Sequence, residues 1–171
     1  SVNSIIHAGA TPVLADVDSK TWNISVETIK PLITKKTKAV MPVHLYGNPC
    51  DMNEIMKFAK KNNILVIEDC AEAIGAKVKG KPVGSFGSAS AVSFFANKLI
   101  TCGEGGAVVF KNKENYDKAN MMRDHGMNPK KRYWHEIVGF NYRITNLQAA
   151  IGCAQLERMN FFKKRRAELF K

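Results

Sequence analysis

The sequence is short of acid, of paired cysteines and of long apolar runs, and each shortage excludes a class of function. Only 15 Asp and Glu stand against 26 Lys and Arg, a formal charge of +11 over 171 residues. Such an excess attracts phosphates whatever the fold. The basic residues, however, come in short scattered groups, Lys35-Lys36, Lys60-Lys61, Lys130-Lys131-Arg132 and Lys163 to Arg166, with neither zinc-finger spacing nor the aromatic motif of RNA-binding sheets. That scatter argues against nucleic acid as a partner and suits a solvated face or an anionic small molecule. Cys50, Cys70, Cys102 and Cys153 are far apart and make no C-x-x-C pair, so reduced thiols are expected rather than disulfides or zinc. No stretch approaches the roughly 20 apolar residues of a membrane span, and no basic-then-apolar leader opens the chain. A cytoplasmic protein without membrane partners is expected. Also missing are a Walker loop, a G-x-G-x-x-G fingerprint, a Ser-His-Asp order and any internal repeat.

What remains is ordinary globular composition, 45% hydrophobic and 24% charged, in a length suited to one sizeable core. Short apolar runs at 12–17, 39–45, 64–67, 90–95 and 107–110 read as strands alternating with helical periodicity, the pattern of an α/β fold with a mostly parallel sheet flanked by helices in three layers. Residues 51–61 place Met52, Ile55, Met56 and Ala59 on one helical face, with Asp51 and Glu54 in capping-box spacing. Residues 25–34 are a crossover that Pro31 should shorten or kink. A helix is expected over 113–123, and Thr145-x-x-Gln148 caps a long one carrying Leu147, Ala150, Ile151 and Ala154 to the end of the chain. The opening Ser1-Val2-Asn3 and the stop at Phe170-Lys171 inside that helical pattern both read as cuts.

Open α/β sheets bind ligands beyond the carboxyl ends of their strands, and three stretches carry chemistry there. The run 64–67 delivers Glu68 and Asp69 to a strand end. Adjacent strand residues point oppositely, so one carboxylate can face a ligand while the other faces structure or a cation; a solvated end or a helix cap is the plain alternative. Ser93-Phe94-Phe95-Ala96-Asn97-Lys98 ends a strand in a lysine, followed by Thr101-Cys102-Gly103-Glu104-Gly105-Gly106. A desolvated lysine there is a nucleophile, and a surface lysine is the alternative. Gly139-Phe140-Asn141-Tyr142-Arg143 sets amide and guanidinium donors before a capped helix, which suits an anion or a simple surface pairing. Acid, amine and anion donors together are the requirements of pyridoxal phosphate, whose ring is an electron sink when its pyridine nitrogen is kept protonated.

The motifs Gly9-Ala10-Thr11-Pro12, Pro42-Val43-His44-Leu45-Tyr46-Gly47, Glu68 to Ala76, Ser93 to Lys98 and Thr101 to Gly106, in that order, resemble the sugar aminotransferases of the DegT/DnrJ/EryC1/StrS family over essentially the whole chain. Arg123-Asp124-His125-Gly126-Met127 and Lys131-Arg132-Tyr133-Trp134-His135, followed by the Gly139–Arg143 stretch, look most like its perosamine synthase branch, which aminates a GDP-4-keto-6-deoxymannose.

The resemblance implies a large domain of the fold-type I aminotransferase kind, of which residues 1–171 are the central part, with an N-terminal part and a C-terminal small domain absent. It makes Lys98 the residue that holds the cofactor and moves protons, and it pairs Asp69 with the pyridine nitrogen. It further lays Ala71 against the ring, brings Glu72 near the ring hydroxyl and gives Ser93 the cofactor phosphate. Asn141 would reach the phosphate of a neighbouring subunit's cofactor, which implies a homodimer. Lysine at position 98 speaks for transamination, because relatives with histidine there dehydrate. The implied amino donor is glutamate and the implied acceptor a nucleotide-linked keto-sugar, with Arg132 and Arg143 as candidates for its diphosphate. A 3-keto or other 4-keto substrate, or a non-catalytic truncated relative, is the alternative. The 171 residues alone are expected to expose apolar surface, bind cofactor poorly and lack activity.

Overall fold

Parallel pairing organises the first of two separately packed units in the computed structural model, which describes residues 1–170. This unit comprises residues 1–93 and 106–108. Its elements are α1 (Val2–His7), α2 (Val26–Ile29), β1 (Ala39–Val40), α3 (Met52–Lys61), β2 (Leu65–Asp69), β3 (Lys77–Val78), β4 (Lys81–Pro82), β5 (Ala89–Ser93) and the start of β6 (Gly106–Phe110). The sheet runs β1-β2-β5-β6, with Val40 opposite Val66 and Glu68 opposite Ser90 in parallel register. β3 and β4 form a separate antiparallel hairpin around the two-residue turn Lys79-Gly80, both at positive φ, the backbone that suits right-twisted strands.

Ile29, Val40, Met52, Ile55, Ala59, Ile64, Val66 and Phe86 make the core of this unit. Helix α3 supplies Met52, Ile55 and Ala59 at helical spacing, with Met56 partly buried beside them. Burying the two larger side chains contributes roughly 1.5–3 kcal/mol each. The Asp51 carboxylate accepts from the N–H groups of Asn53 (3.1 Å) and Glu54 (3.2 Å), while Glu54 turns to Lys57 rather than back to the cap. Proline acts as expected at position 31: α2 stops at Ile29 and tightens into a 3-10 turn over Lys30–Leu32.

Two strand expectations need correction. Residues 12–17 form no strand; Val13 and Leu14 are exposed, and no strand among the described residues pairs with this run, which leaves its backbone without a ladder. The run 39–45 is a two-residue strand, an interruption at Met41-Pro42, and a single bridge of Val43 to Asp69. Pro42 has no N–H to give, although its carbonyl still accepts from Asp69.

The second unit holds residues 94–105 and those from 109 onward. It contains α4 (Lys113–Arg123), α5 (Asn146–Glu157) and α6 (Met159–Leu169). The expected Thr145–Gln148 capping box is present, each side chain bonded to the other's backbone N–H. The single long helix expected after it is two, because Arg158 (φ −100°, ψ 7°) leaves helical geometry between α5 and α6. None of α4, α5 and α6 contains a buried residue, and Leu147, Ile151, Leu156, Phe161 and Leu169 are exposed. Among the described residues no helix is long and apolar enough to cross a membrane.

Candidate functional site

Strand β2 resolves the question its two carboxylates pose. Ile64, Val66 and Glu68 share the inward face, and Glu68 is completely buried. Its Oε1 accepts from the N–H groups of Phe86 and Gly87, both at 2.7 Å, and its Oε2 from Gly84 N–H at 2.7 Å and from the His44 ring at 3.3 Å. Cys50 N–H donates to His44 Nδ1 at 3.1 Å, which leaves the ring proton on Nε2, facing Glu68. Burial pushes the Glu68 pKa up, but the His44 ring and the N–H groups of Gly87, Gly84 and Phe86 outweigh it and hold the carboxyl below its usual range. Cys70 stands beside this cluster, its thiol pushed up to about 12 mainly by burial. With the carboxylate taken up by four protein donors, His44, Glu68 and Cys70 form a closed, buried polar cluster.

Asp69 points the other way and stays half-buried. Its Oδ1 accepts from Ala71 N–H (3.1 Å) and its Oδ2 from the Ser1 hydroxyl (2.6 Å). Among the described residues no Lys, Arg or His is paired with it. A carboxylate at a parallel strand's carboxyl end, held by neutral donors only, is open to a cationic ring nitrogen, which is the fit pyridoxal phosphate asks of it. Glu72 lies on the surface, and its Oε2 accepts from Tyr46 N–H at 2.9 Å. This bond holds the Tyr46 turn, where tyrosine sits at φ +50° with its ring exposed. Ser93 is the last residue of β5. Asp69, Ala71, Glu72 and Ser93 thus all belong to the first unit, at or just beyond the carboxyl ends of two adjacent parallel strands.

Lys98 and Asn141 belong to the second unit. Lys98 is half-buried in a turn whose backbone is held on both sides: its N–H donates to Phe95 O (3.0 Å), and Arg166 Nη2 donates to its carbonyl (3.4 Å). The following loop folds onto Phe94, whose carbonyl accepts from Cys102 N–H and the Thr101 hydroxyl, while the Cys102 thiol donates to Glu104 O (3.1 Å). Asn141 is exposed and bridges Asp124 across an antiparallel pair. Arg143, a candidate for the substrate's diphosphate, reaches the Asp124 carboxylate at 3.2 Å. The His125 ring and then Arg143 hold the Asp124 carboxyl below its usual range. Arg132 lies over the Tyr133 ring at 4.9 Å.

Sequence reasoning saw that one carboxylate of the Glu68-Asp69 pair would face structure but did not find the partners, His44 and the 84–87 loop. Alternation along β2, counted from the buried Ile64 and Val66, would have assigned the inward place to Glu68.

The profile of the DegT/DnrJ/EryC1/StrS aminotransferase family matches residues 1–171. A GDP-perosamine synthase of Escherichia coli O157:H7 is 53% identical over 169 residues, which are 99% of this chain and 46% of that protein. An aminotransferase from Psychrobacter cryohalolentis, known from its X-ray structure, superposes with a TM-score of 0.86 at 44% identity, over 93% of this chain and 43% of that one. DesV of S. venezuelae, solved in complex with a ketimine intermediate, gives a TM-score of 0.92 at 34% identity, over 98% and 45%. The chain therefore spans a little under half the length of the proteins it resembles. With the motif order, the parallel sheet and the two strand ends all in agreement, the chain belongs to the DegT/DnrJ/EryC1/StrS aminotransferase family.

Proposed function

We propose that the protein to which these residues belong is a pyridoxal phosphate-dependent aminotransferase that transfers an amino group from glutamate to a nucleotide-linked keto-sugar, GDP-4-keto-6-deoxymannose in particular. Residues 1–171 are read as the central part of its cofactor-binding large domain, in keeping with the share of each relative they match. The observation that carries the reading is Asp69, a carboxylate at the end of β2 with no cationic partner among the described residues, in a chain that keeps a lysine on the turn after β5. The likeness to a GDP-perosamine synthase supports the GDP-linked 4-keto substrate over a 3-keto one.

When bound, the cofactor supplies an electron sink for the carbon that gives up or receives the amino group. The chain's own residues do the rest. Lys98 Nζ would hold the cofactor covalently between turnovers and, once displaced, would carry the proton between carbon positions. Asp69 would keep the ring nitrogen protonated, Ala71 would leave a flat surface against the ring, and Glu72 would serve the side of the ring hydroxyl. The Ser93 hydroxyl would donate to the cofactor phosphate and Asn141 would reach the phosphate in a second subunit, which makes the proposed working form a homodimer.

The test is spectroscopic first. Full-length protein with added cofactor is expected to develop a near-visible absorbance band that borohydride abolishes and that Lys98→Ala lacks; a wild type that never develops the band sinks the proposal. A panel of keto-sugar nucleotides offered with glutamate then decides the substrate, and turnover of a 3-keto compound alone overturns the GDP-4-keto assignment.

A further inference from the structure

We infer that Glu68, together with His44, is the positioning device for the Asp69 carboxylate, a role that rests on the proposed part of Asp69 in holding the cofactor. Two neighbours on the inward face of β2 are aliphatic, and an aliphatic side chain is the ordinary occupant of a third buried place. A fully buried carboxylate there is retained for what it organises. Its four donors come from two segments remote in sequence, the His44 turn and the 84–87 loop, neither of which has a strand or helix of its own at those positions.

His44 clasps the end of β2 from both sides of the alternation. Its ring donates to the Glu68 carboxylate, while its backbone N–H donates to the Asp69 carbonyl at 3.1 Å. The Asp69 N–H in turn reaches Pro42 O at 2.9 Å. The last two residues of β2 can therefore not rotate about the strand axis without breaking the Glu68 cage. Because Glu68 and Asp69 point oppositely, fixing one side chain inward fixes the direction in which the other leaves the sheet. The Asp69 carboxylate is then aimed by its neighbour's hydrogen bonds, with the Ala71 N–H and the Ser1 hydroxyl the direct donors to it among the described residues. Metal binding is no competing use of the cluster, since every acceptor position Glu68 offers is taken by a protein donor.

The experiment compares full-length wild type with Glu68→Gln, His44→Gln and Ile55→Val. The last variant loosens the core of the same unit without touching the cage. Two readouts serve. Without cofactor, hydrogen exchange of the Ala71 amide reports the Asp69 Oδ1 contact. With cofactor, the dissociation constant and the circular dichroism of the bound chromophore report how firmly and in what orientation the ring is held. Glu68→Gln replaces an acceptor with an NH2 that faces backbone donors. It is expected to speed Ala71 exchange, to weaken cofactor affinity by about tenfold and to reduce the dichroic band. His44→Gln should shift the same readouts in the same direction by less, and it stands in if Glu68→Gln does not fold. Ile55→Val should lower the melting temperature and leave all three readouts unmoved. Unchanged Ala71 exchange and affinity in the cage variants, or equal changes in Ile55→Val, overturn the inference. A wild type that binds no cofactor overturns the proposed function instead, while Ala71 exchange still decides whether Glu68 aims Asp69.

Discussion

Replacing Gly87 with alanine probes a close backbone approach in the first unit. A Cβ at Gly87 would stand 2.5 Å from the Val66 carbonyl oxygen, 3.1 Å from its carbon and 3.2 Å from Ala89 O. Carbon and oxygen ordinarily meet at about 3.3 Å or more, so the obstruction is about 0.8 Å deep and lies against main chain that cannot swing aside. Relief requires the 84–87 loop to move off β2. Moving it stretches the 2.7 Å bond from Gly87 N–H to Glu68 and the 2.8 Å bond from Ser88 N–H to Val66 O. A hydrogen bond to a charged acceptor contributes about 1.5–3 kcal/mol and a neutral one about 1, so a loss of about 3 kcal/mol is expected. Gly80→Ala is the comparison. Its φ is +83° with nothing within 4 Å of the added methyl, leaving backbone preference alone, about 1 kcal/mol. Urea unfolding of the full-length variants, compared at matched slope, measures both. In a Glu68→Gln background the Gly87→Ala loss should shrink, because one of the bonds it breaks is already compromised. Equal losses at positions 87 and 80, or strict additivity with Glu68→Gln, would refute the reasoning.

Three further outcomes are expected. Since Glu68 titrates below its usual range in the folded state, the unfolded chain takes up that proton first as pH falls; the stability Glu68 contributes is complete above about pH 4.3 and is lost progressively below it. Glu68→Gln should therefore flatten the acid side of a stability–pH curve, and an unaltered acid limb would count against the carboxylate's being charged when buried. Thr145→Ala removes the capping box at α5, where Gln148 N–H donates to the Thr145 hydroxyl (3.2 Å) and Thr145 N–H to Gln148 (2.8 Å); it should lower stability by about 1 kcal/mol, with Thr145→Ser restoring most of it. Urea midpoints of the two variants check this. Cys50 and Cys70, buried and both pushed up to about 12 mainly by that burial, should resist a thiol reagent at pH 8 until the protein unfolds; rapid labelling of either, located by peptide mass mapping, would contradict their placement.

Elements whose signals are local were legible. Asp51 capping α3, Pro31 ending α2 and the Thr145–Gln148 box each depend on residues within one turn of the chain, and each stands where the spacing put it. The apolar run at 12–17 failed because a strand is defined by its neighbour, and alternation says nothing of whether one is present. The break at Arg158 escaped notice because no proline or glycine marks it. In the candidate site, residue type and strand end marked the Glu68-Asp69 pair and Lys98 as places for chemistry, and their separate roles came from the family resemblance. The cage that holds Glu68 inward was legible in neither, since it is built by groups 16 to 24 residues away from Glu68.

The oppositely directed carboxylates of β2 also bear on how the sheet finds its alignment. Parallel strands slip easily where both faces are uniformly aliphatic, and a slip by one residue turns every side chain over. In β2 that movement would bring Asp69 to the inward place. Its side chain is one methylene shorter than that of Glu68, so it would fall short of the Phe86, Gly87 and Gly84 amides and leave buried donors unsatisfied. It would also turn Glu68 outward and strand the His44 ring. A misaligned sheet is thus penalised during folding by the same two residues, and a Glu68→Asp chain should show it as slower refolding with trapped intermediates.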